Sequence, residues 1–150
     1  MYSEKDFDIK AGKLLKHNGE SDIVVIPDTV KSIGENAFSE MSIVSMTIPN
    51  SVKSIQLEAF KGCTSLTDIK IPEGVENIGD CAFQNCSSLT KINLPYGLQS
   101  IGNNAISECV SLNEVIIPEG VKSIGDRAFI KCSALKRLII PDSVNKSCIW

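Results

Sequence analysis

The sequence has little of what catalysis, nucleic-acid binding or membrane insertion requires. Aromatic residues make up 5% of the chain, and histidine occurs once. The formal net charge is −3, so the composition does not supply the basic surface that binds nucleic acid or anionic membranes. No apolar run approaches the roughly 18 residues of a membrane-spanning helix. We therefore predict no nucleic-acid partner and no membrane insertion.

Residue combinations typical of enzymes are also missing from the sequence. The single histidine, His17, has no serine or cysteine motif for nucleophilic catalysis to accompany it, and no glycine-rich phosphate loop occurs. We expect His17 to lie on the surface. The sequence predicts that the protein is not an enzyme and uses no cofactor and no metal.

What the sequence does contain is a strict repeat. Apolar residues stand at fixed distances from six prolines, which lie 22 residues apart once and 23 residues apart four times. A fixed period of about 20–30 residues indicates a solenoid, in which each coil buries its apolar face against its neighbours. The prolines are Pro27, Pro49, Pro72, Pro95, Pro118 and Pro141.

The first half of each repeat predicts two extended segments. Residues 68–71 alternate between polar and apolar side chains, as a strand with one buried face does. Pro72 ends this strand because proline cannot donate to a ladder. Residues 75–78 can then run back as a second, shorter extended segment.

The second half of each repeat predicts a corner and a short helix. Gly79 recurs in most coils, where we expect a corner with positive φ, and Gln56 interrupts this glycine column. Ala82, Phe83 and Cys86 have the spacing of a single helical turn. The prediction is a β-rich α/β solenoid with one parallel sheet of about six strands.

Two columns of side chains are predicted to run through the core. The first consists of Phe38, Phe60, Phe83 and Phe129, with Ile106 in the fifth coil. The second consists of Cys63, Cys86, Cys109 and Cys132. Buried, reduced thiols explain this spacing, while disulfides between neighbouring coils and a zinc site are the alternatives. Cys81 and Cys148 lie outside the column, and we expect Cys81 to be exposed.

The two ends of the chain depart from the repeat. Two short alternating pieces before residue 20 read as a hairpin that covers the first coil. The predicted organisation is a capping hairpin over residues 1–20, a solenoid over 21–144 and a tail over 145–150. Near the tail, Ile116 and Ile139 are predicted to be exposed side by side, which suggests either a protein contact or coverage by Trp150.

The outward positions of the predicted strands are the candidate binding residues. Asp68, Lys91, Glu114 and Arg137 alternate in charge along the sheet, which serves either to fix coil register or to bind a ligand. The predicted binding residues are Ser45, Thr47, Asp68, Lys70, Lys91, Asn93, Glu114, Ile116, Arg137 and Ile139.

The repeat Leu-x-x-Ile-x-Ile-Pro-x-x-Val-x-x-Ile-Gly-x-x-Ala-Phe-x-x-Cys resembles the BspA-like leucine-rich repeat family of bacteria and some protists. The resemblance covers about residues 21–144. It implies a right-handed leucine-rich-repeat solenoid without catalysis, and its members are often surface proteins that bind host proteins or other cells. Six cysteines without an export signal favour a reducing cytoplasm, whereas the resemblance implies the cell surface or secretion.

The functional hypothesis is a non-enzymatic, adhesin-like module that presents its parallel-sheet face to another protein. The alternative is a structural or self-associating segment, or a fragment of a longer repeat protein. A homodimer joined through the C-terminal end is a possible form of self-association, because the last strand leaves an edge open.

Overall fold

The computed structural model describes residues 4–144 and 149–150, and strands are the dominant element. A 3-10 helix at Glu4–Asp6 precedes the first strand. The strands are β1 (Phe7–Lys10), β2 (Lys13–His17), β3 (Ile23–Val25), β4 (Ser32–Ile33), β5 (Ser45–Thr47), β6 (Ser54–Ile55), β7 (Asp68–Lys70), β8 (Asn77–Ile78), β9 (Lys91–Asn93), β10 (Ser100–Ile101), β11 (Glu114–Ile116), β12 (Ser123–Ile124) and β13 (Arg137–Ile139).

The three-residue strands that precede each proline stack in parallel along one side of the solenoid. β3 pairs with β5, while β7, β9, β11 and β13 form a four-stranded sheet. The single sheet of about six strands that the sequence predicts is therefore divided into two, because no ladder joins β5 to β7. We call these the main strands.

The two-residue strands form a second sheet on another side of the coils. β4, β6, β8, β10 and β12 follow one another in parallel, and each lies one coil further along the stack. β2 pairs in parallel with β4, and β1 pairs antiparallel with β2 at the N-terminal end. Each of the first five coils thus contributes one main strand and one strand of the second sheet.

The third side of each coil is a series of turns in place of the predicted helical turn. The Phe60 amide donates to the carbonyl of Ala82 at 2.8 Å, and the Phe83 amide donates to Ala105 at 2.7 Å. Residues such as Cys81 and Asn85 take φ values of 55° and 58°, which helices do not contain. The α/β class is not what the structure shows: the described part of the chain is a β-solenoid of about six turns with almost no helix.

This architecture has a consequence for the shape of the sheets. Backbone hydrogen bonds join neighbouring coils on all three sides, except between β5 and β7 on the side of the main strands. Over most of the stack the coils are therefore separated by strand-like distances of about 4.8 Å. Helices would widen one side and bend the stack. Because they are absent from the described coils, we expect the sheets to be close to flat apart from their twist.

The predicted positive φ at Gly79 is wrong, and the reason for glycine there is close stacking. Among the described glycines, only Gly12 and Gly62 have positive φ. A Cβ at Gly79 would lie 2.8 Å from the Gln56 carbonyl carbon and 2.9 Å from the Leu57 nitrogen. Glycine therefore lets the backbones of two coils approach.

The predicted aromatic column is confirmed. Phe38, Phe60 and Phe83 are fully buried and stacked nearly parallel, with successive ring centroids 5.2 and 5.1 Å apart. Ile106 and Phe129 are also fully buried and continue the column. Such offset stacking is a favoured geometry for aromatic pairs.

Candidate binding face

The ten predicted binding residues all lie on main strands, and every one of them is exposed. Each main strand buries its central residue in whole or in part and exposes the two flanking ones, as the period of two requires. We define the main face as the outward residues of the six main strands: Ile23, Val25, Ser45, Thr47, Asp68, Lys70, Lys91, Asn93, Glu114, Ile116, Arg137 and Ile139.

Exposed apolar side chains lie at both ends of the main face, and the strands between them carry polar and charged side chains. Ile23 is 64% exposed at the N-terminal end, and Ile116 is 53% exposed near the C-terminal end. Val25 and Ile139 are also exposed at the two ends. The N-terminal pair was absent from the predicted site, although two apolar residues at outward strand positions are a readable signal.

One ion pair of the predicted charge ladder is formed, between β11 and β13. Arg137 Nη1 donates to Glu114 Oε1 at 2.7 Å. Two further ion pairs, Lys61–Glu58 and Lys131–Glu108, lie elsewhere. Asp68 and Lys91 are neighbours in register but form no ion pair. The central charges of the main face are therefore not neutralised by direct contact.

A groove opens on the main face where the pairing of two strands is incomplete. β9 and β11 share only the pair Lys91 and Glu114, whereas β7 and β9 share three pairs. The groove has a volume of about 510 Å³, and Asn93 and Ile116 lie along it. Tyr96, in the turn beside the groove, is 85% exposed. Tyr96 is not among the binding residues that the sequence predicts.

Several polar side chains in and beside the second sheet hydrogen-bond one coil to the next. A shallow groove of about 490 Å³ runs along this sheet. Asp80 Oδ1 accepts from the Asn103 amide at 2.8 Å, and Asn103 Oδ1 accepts from the Asp126 amide at 2.8 Å. Ser100 Oγ donates to Asn77 Oδ1 at 2.6 Å. These side chains stabilise the fold, which leaves the main face with the freer set of polar groups.

His17 is buried, so the prediction that it lies on the surface is wrong. Its ring is 3% exposed and packs between Phe7 and Phe38, with centroid distances of 4.9 and 5.5 Å. Nδ1 lies 3.1 Å from the Asp6 carbonyl oxygen, while Nε2 is buried with no hydrogen-bond partner. The His17 amide donates a hydrogen bond to the Ala37 carbonyl oxygen, in the same way that the Phe38 amide donates to the Ala59 carbonyl oxygen one coil later. His17 therefore occupies the first position of the aromatic column, 21 residues before Phe38.

We expect the protein to lose stability as the pH falls below about 6.5, the ordinary pKa of histidine. Burial lowers the pKa of His17, and the hydrogen bond and charge of Asp6 oppose this shift only in part. The unfolded chain then binds a proton at a higher pH than the folded chain, and the free energy of unfolding decreases until the folded pKa is passed. Urea unfolding between pH 5 and 8 measures this slope.

The matched variant is His17→Phe, since a phenyl ring suits the column and does not titrate. We expect it to flatten the slope between pH 5 and 7. As His17 is the only histidine, the difference between the two slopes belongs to this side chain. Equal slopes for the two proteins would contradict the burial of His17.

The four column cysteines have their thiols turned into the core. Each thiol donates to a backbone carbonyl oxygen of the preceding coil, with Sγ 3.1–3.2 Å from that oxygen. Burial raises the pKa of Cys63 and of Cys132 to about 12. For Cys86, a hydrogen bond with Cys109 and then burial raise the pKa. The described residues contain no cluster of His, Cys, Asp or Glu that could hold a metal ion.

We expect these four thiols to resist a soluble thiol reagent in the native state and to react once the chain is unfolded, because the thiolate is the reactive form. Cys81 is half-buried, which corrects its predicted exposure, and burial raises its pKa. It should still react before the column. Cys148 lies outside the described residues, so Cys148→Ser is the background for the measurement. Rapid native labelling of Cys86 would contradict this placement.

The C-terminal end of the stack is partly covered. Ile149 is buried, and its carbonyl oxygen accepts a hydrogen bond from the Phe129 amide at 3.2 Å. In the earlier coils the acceptor at this point is the carbonyl oxygen of an alanine in the next coil. Trp150 is 63% exposed, and Ile116 and Ile139 remain exposed as well. Trp150 therefore does not cover this patch, and residues 145–148 of the predicted tail lie outside the described residues.

Parallel strands repeated once per coil, with buried Ile, Val and Leu columns, define a leucine-rich-repeat solenoid. The chain matches the BspA type leucine rich repeat region in six copies over residues 16–136, and it belongs to this family. No curated protein matches the chain. No helix in the described part is long and apolar enough to cross a membrane.

Solved structures of bacterial leucine-rich repeat proteins share this fold. The T. pallidum protein TpLRR is 33% identical, with a TM-score of 0.91 over 93% of this chain and 71% of its own. A Bacteroides ovatus protein is 34% identical, with a TM-score of 0.62 over 81% of this chain and 38% of its own. A Eubacterium ventriosum protein is 25% identical, with a TM-score of 0.82 over 90% of this chain and 37% of its own. The chain thus spans less than half of the last two.

Proposed function

We propose that the chain is a non-enzymatic, adhesin-like module that binds another protein through the main face. The observation that carries the proposal is the contrast between the two sheets. Asp80 and Asn103, in the turns after β8 and β10, accept backbone hydrogen bonds from the next coil, whereas the exposed side chains of Lys70, Lys91 and Asn93 on the main face make no ion pair or side-chain hydrogen bond within the described residues. Exposed charges and apolar groups on a rigid sheet are the groups that a protein partner can engage.

The N-terminal hairpin supports this role as a cap. β1 and β2 extend the second sheet beyond the first coil, and their side chains Phe7, Leu14 and His17 are buried. A solenoid needs such a segment because its first coil has no preceding neighbour to cover its core. In this proposal residues 1–20 stabilise the stack, and residues 21–144 carry the binding face.

A capture experiment with paired variants tests the function. The full chain is immobilised, and proteins from an extract of its native organism are compared by mass spectrometry. We expect a partner to be retained by wild type and lost from Lys70→Glu/Lys91→Glu. The control, Lys53→Glu/Lys122→Glu, makes the same charge change at exposed positions away from the main face and should retain it. Loss from the control alone would contradict the proposal.

A further inference from the structure

We infer that the main face is self-complementary and binds a second copy of the chain, in a symmetric dimer whose twofold axis runs parallel to the main strands, midway between β7 and β9. The inference rests on the proposed function, because it names an occupant for the same face. A twofold interface brings the same patch of both copies together, so each contact occurs twice.

Such an axis reverses the order of the coils. The first coil of one copy then faces the sixth coil of the other, the second faces the fifth, and the third faces the fourth. The facing residues are Ile23 with Arg137, Val25 with Ile139, Ser45 with Glu114, Thr47 with Ile116, Asp68 with Lys91, and Lys70 with Asn93.

Charge complementarity is the first argument for this arrangement. None of the facing pairs joins two like charges, and Asp68 of each copy faces Lys91 of the other. Within the sheet these two residues are in register and form no ion pair with each other. The centre of the dimer would thus hold two attractive pairs, which orient the copies and disfavour other registers.

The distribution of apolar side chains is the second argument. Val25 at one end of the face meets Ile139 from the opposite end of the other copy, and Ile116 meets the methyl group of Thr47. The valine and both isoleucines are exposed in the single chain, and each gains apolar contact in the dimer. Because the coil-reversing axis places the two ends of the face opposite each other, it brings apolar groups at one end of the first copy against those at the other end of the second.

A second twofold axis, along the stack, fits the charges less well. It would place each coil opposite the same coil of the other copy. Glu114 of one copy would then face Ile116 of the other, and Arg137 would face Ile139. Both charges would then be desolvated against apolar groups, which is unfavourable. The coil-reversing axis places only Arg137 in that situation.

The size of the face sets the expected strength. Six strands of three residues, about 4.8 Å apart and about 3.3 Å per residue, give a face of roughly 25 Å by 10 Å, or about 250 Å². This area is small compared with about 800 Å² per partner in a standard interface. The flatness expected of the sheets allows two such faces to approach at about 10 Å, the distance between packed sheets. We therefore expect a reversible dimer that depends on protein concentration.

Sedimentation equilibrium of the full chain over a wide concentration range tests the inference. Wild type should move from 16.2 kDa toward twice that mass. Asp68→Lys alone and Lys91→Asp alone should each raise the dissociation constant about tenfold or more. The double variant should return it close to wild type, because opposite charges face each other again. Glu76→Lys carries the same charge change at an exposed position away from the main face and should leave it unchanged.

Other results would overturn the inference. A chain that stays at 16.2 kDa at every concentration excludes the dimer. If the double variant dimerises as weakly as the single variants, the coil-reversing axis is wrong. With the axis along the stack, the lysine introduced at position 68 would face Lys70 of the other copy, and the second substitution would not relieve this repulsion. An end-to-end dimer through β13 would respond to Ile139→Lys but not to Val25→Lys. A monomer whose main-face variants still lose a captured protein would leave the proposed function standing.

Discussion

Replacing Phe83 by alanine is expected to lower the free energy of unfolding by about 3–5 kcal/mol, which is the range for removing a buried ring. The Phe83 ring is fully buried and stacks on Phe60 at 5.1 Å. Because the coils on both sides are held by backbone hydrogen bonds, they cannot close over the cavity. Urea unfolding monitored by circular dichroism measures the change.

Two further variants make this result specific to the column. Ile106→Phe adds a ring where the neighbouring coils already accept one, so we expect it to cost less than Phe83→Ala. Tyr96→Ala removes a ring that is 85% exposed, and it should have an effect within about 0.5 kcal/mol. If Phe83→Ala and Tyr96→Ala were equally mild, the alignment of the coils would be wrong.

Gly79→Ala is expected to destabilise the protein by about 1–3 kcal/mol, the usual cost of inserting a methyl group where there is no room. The added Cβ would meet backbone atoms of Gln56 and Leu57 at 2.8 and 2.9 Å. Those atoms belong to the preceding coil and cannot rotate away as a flexible side chain could. The coils would have to separate locally to admit the methyl group.

Gly97→Ala is the matched control. A Cβ there has one close neighbour, the Glu73 carbonyl oxygen at 3.2 Å, and Gly97 does not have positive φ. We expect a change much smaller than that of Gly79→Ala. Asn at position 79 separates the two explanations for glycine, since asparagine tolerates positive φ but is larger than alanine. A Gly79→Asn variant more stable than Gly79→Ala would contradict the steric explanation.

The repeat fold was predictable because its signal is periodic. The spacing of the prolines and of the Phe83 column determines which residues share a side of the coil, and the structure places them accordingly. The turn side was not predictable in the same way. Ala82, Phe83 and Cys86 have a spacing that suits a helical turn, but positive φ at Cys81 and Asn85 breaks the helix. Neither residue type requires that conformation.

The errors at single residues also have physical causes. A recurring glycine such as Gly79 predicts positive φ when one coil is considered by itself. The close approach of two backbones, which is the actual reason for glycine there, becomes visible only when the coils are stacked. His17 lies 21 residues before Phe38, one or two residues short of the period, and it belongs to the hairpin rather than to a repeat. The periodic pattern therefore does not assign it to the aromatic column. The exposure of the outward residues followed directly from strand alternation, whereas the division of the main strands into two sheets did not.

Side-chain footprinting by hydroxyl radicals tests the central claim, that protein binding uses the main face. Reactivity is measured residue by residue in the full chain, alone and with its captured partner or at dimer-forming concentration. We predict that Ile116, Ile139 and Tyr96 become protected on binding, while Leu15 and Leu57, which are exposed away from the main face, keep their reactivity. Protection of Leu15 and Leu57 with unchanged reactivity at Ile116 and Tyr96 would contradict the claim.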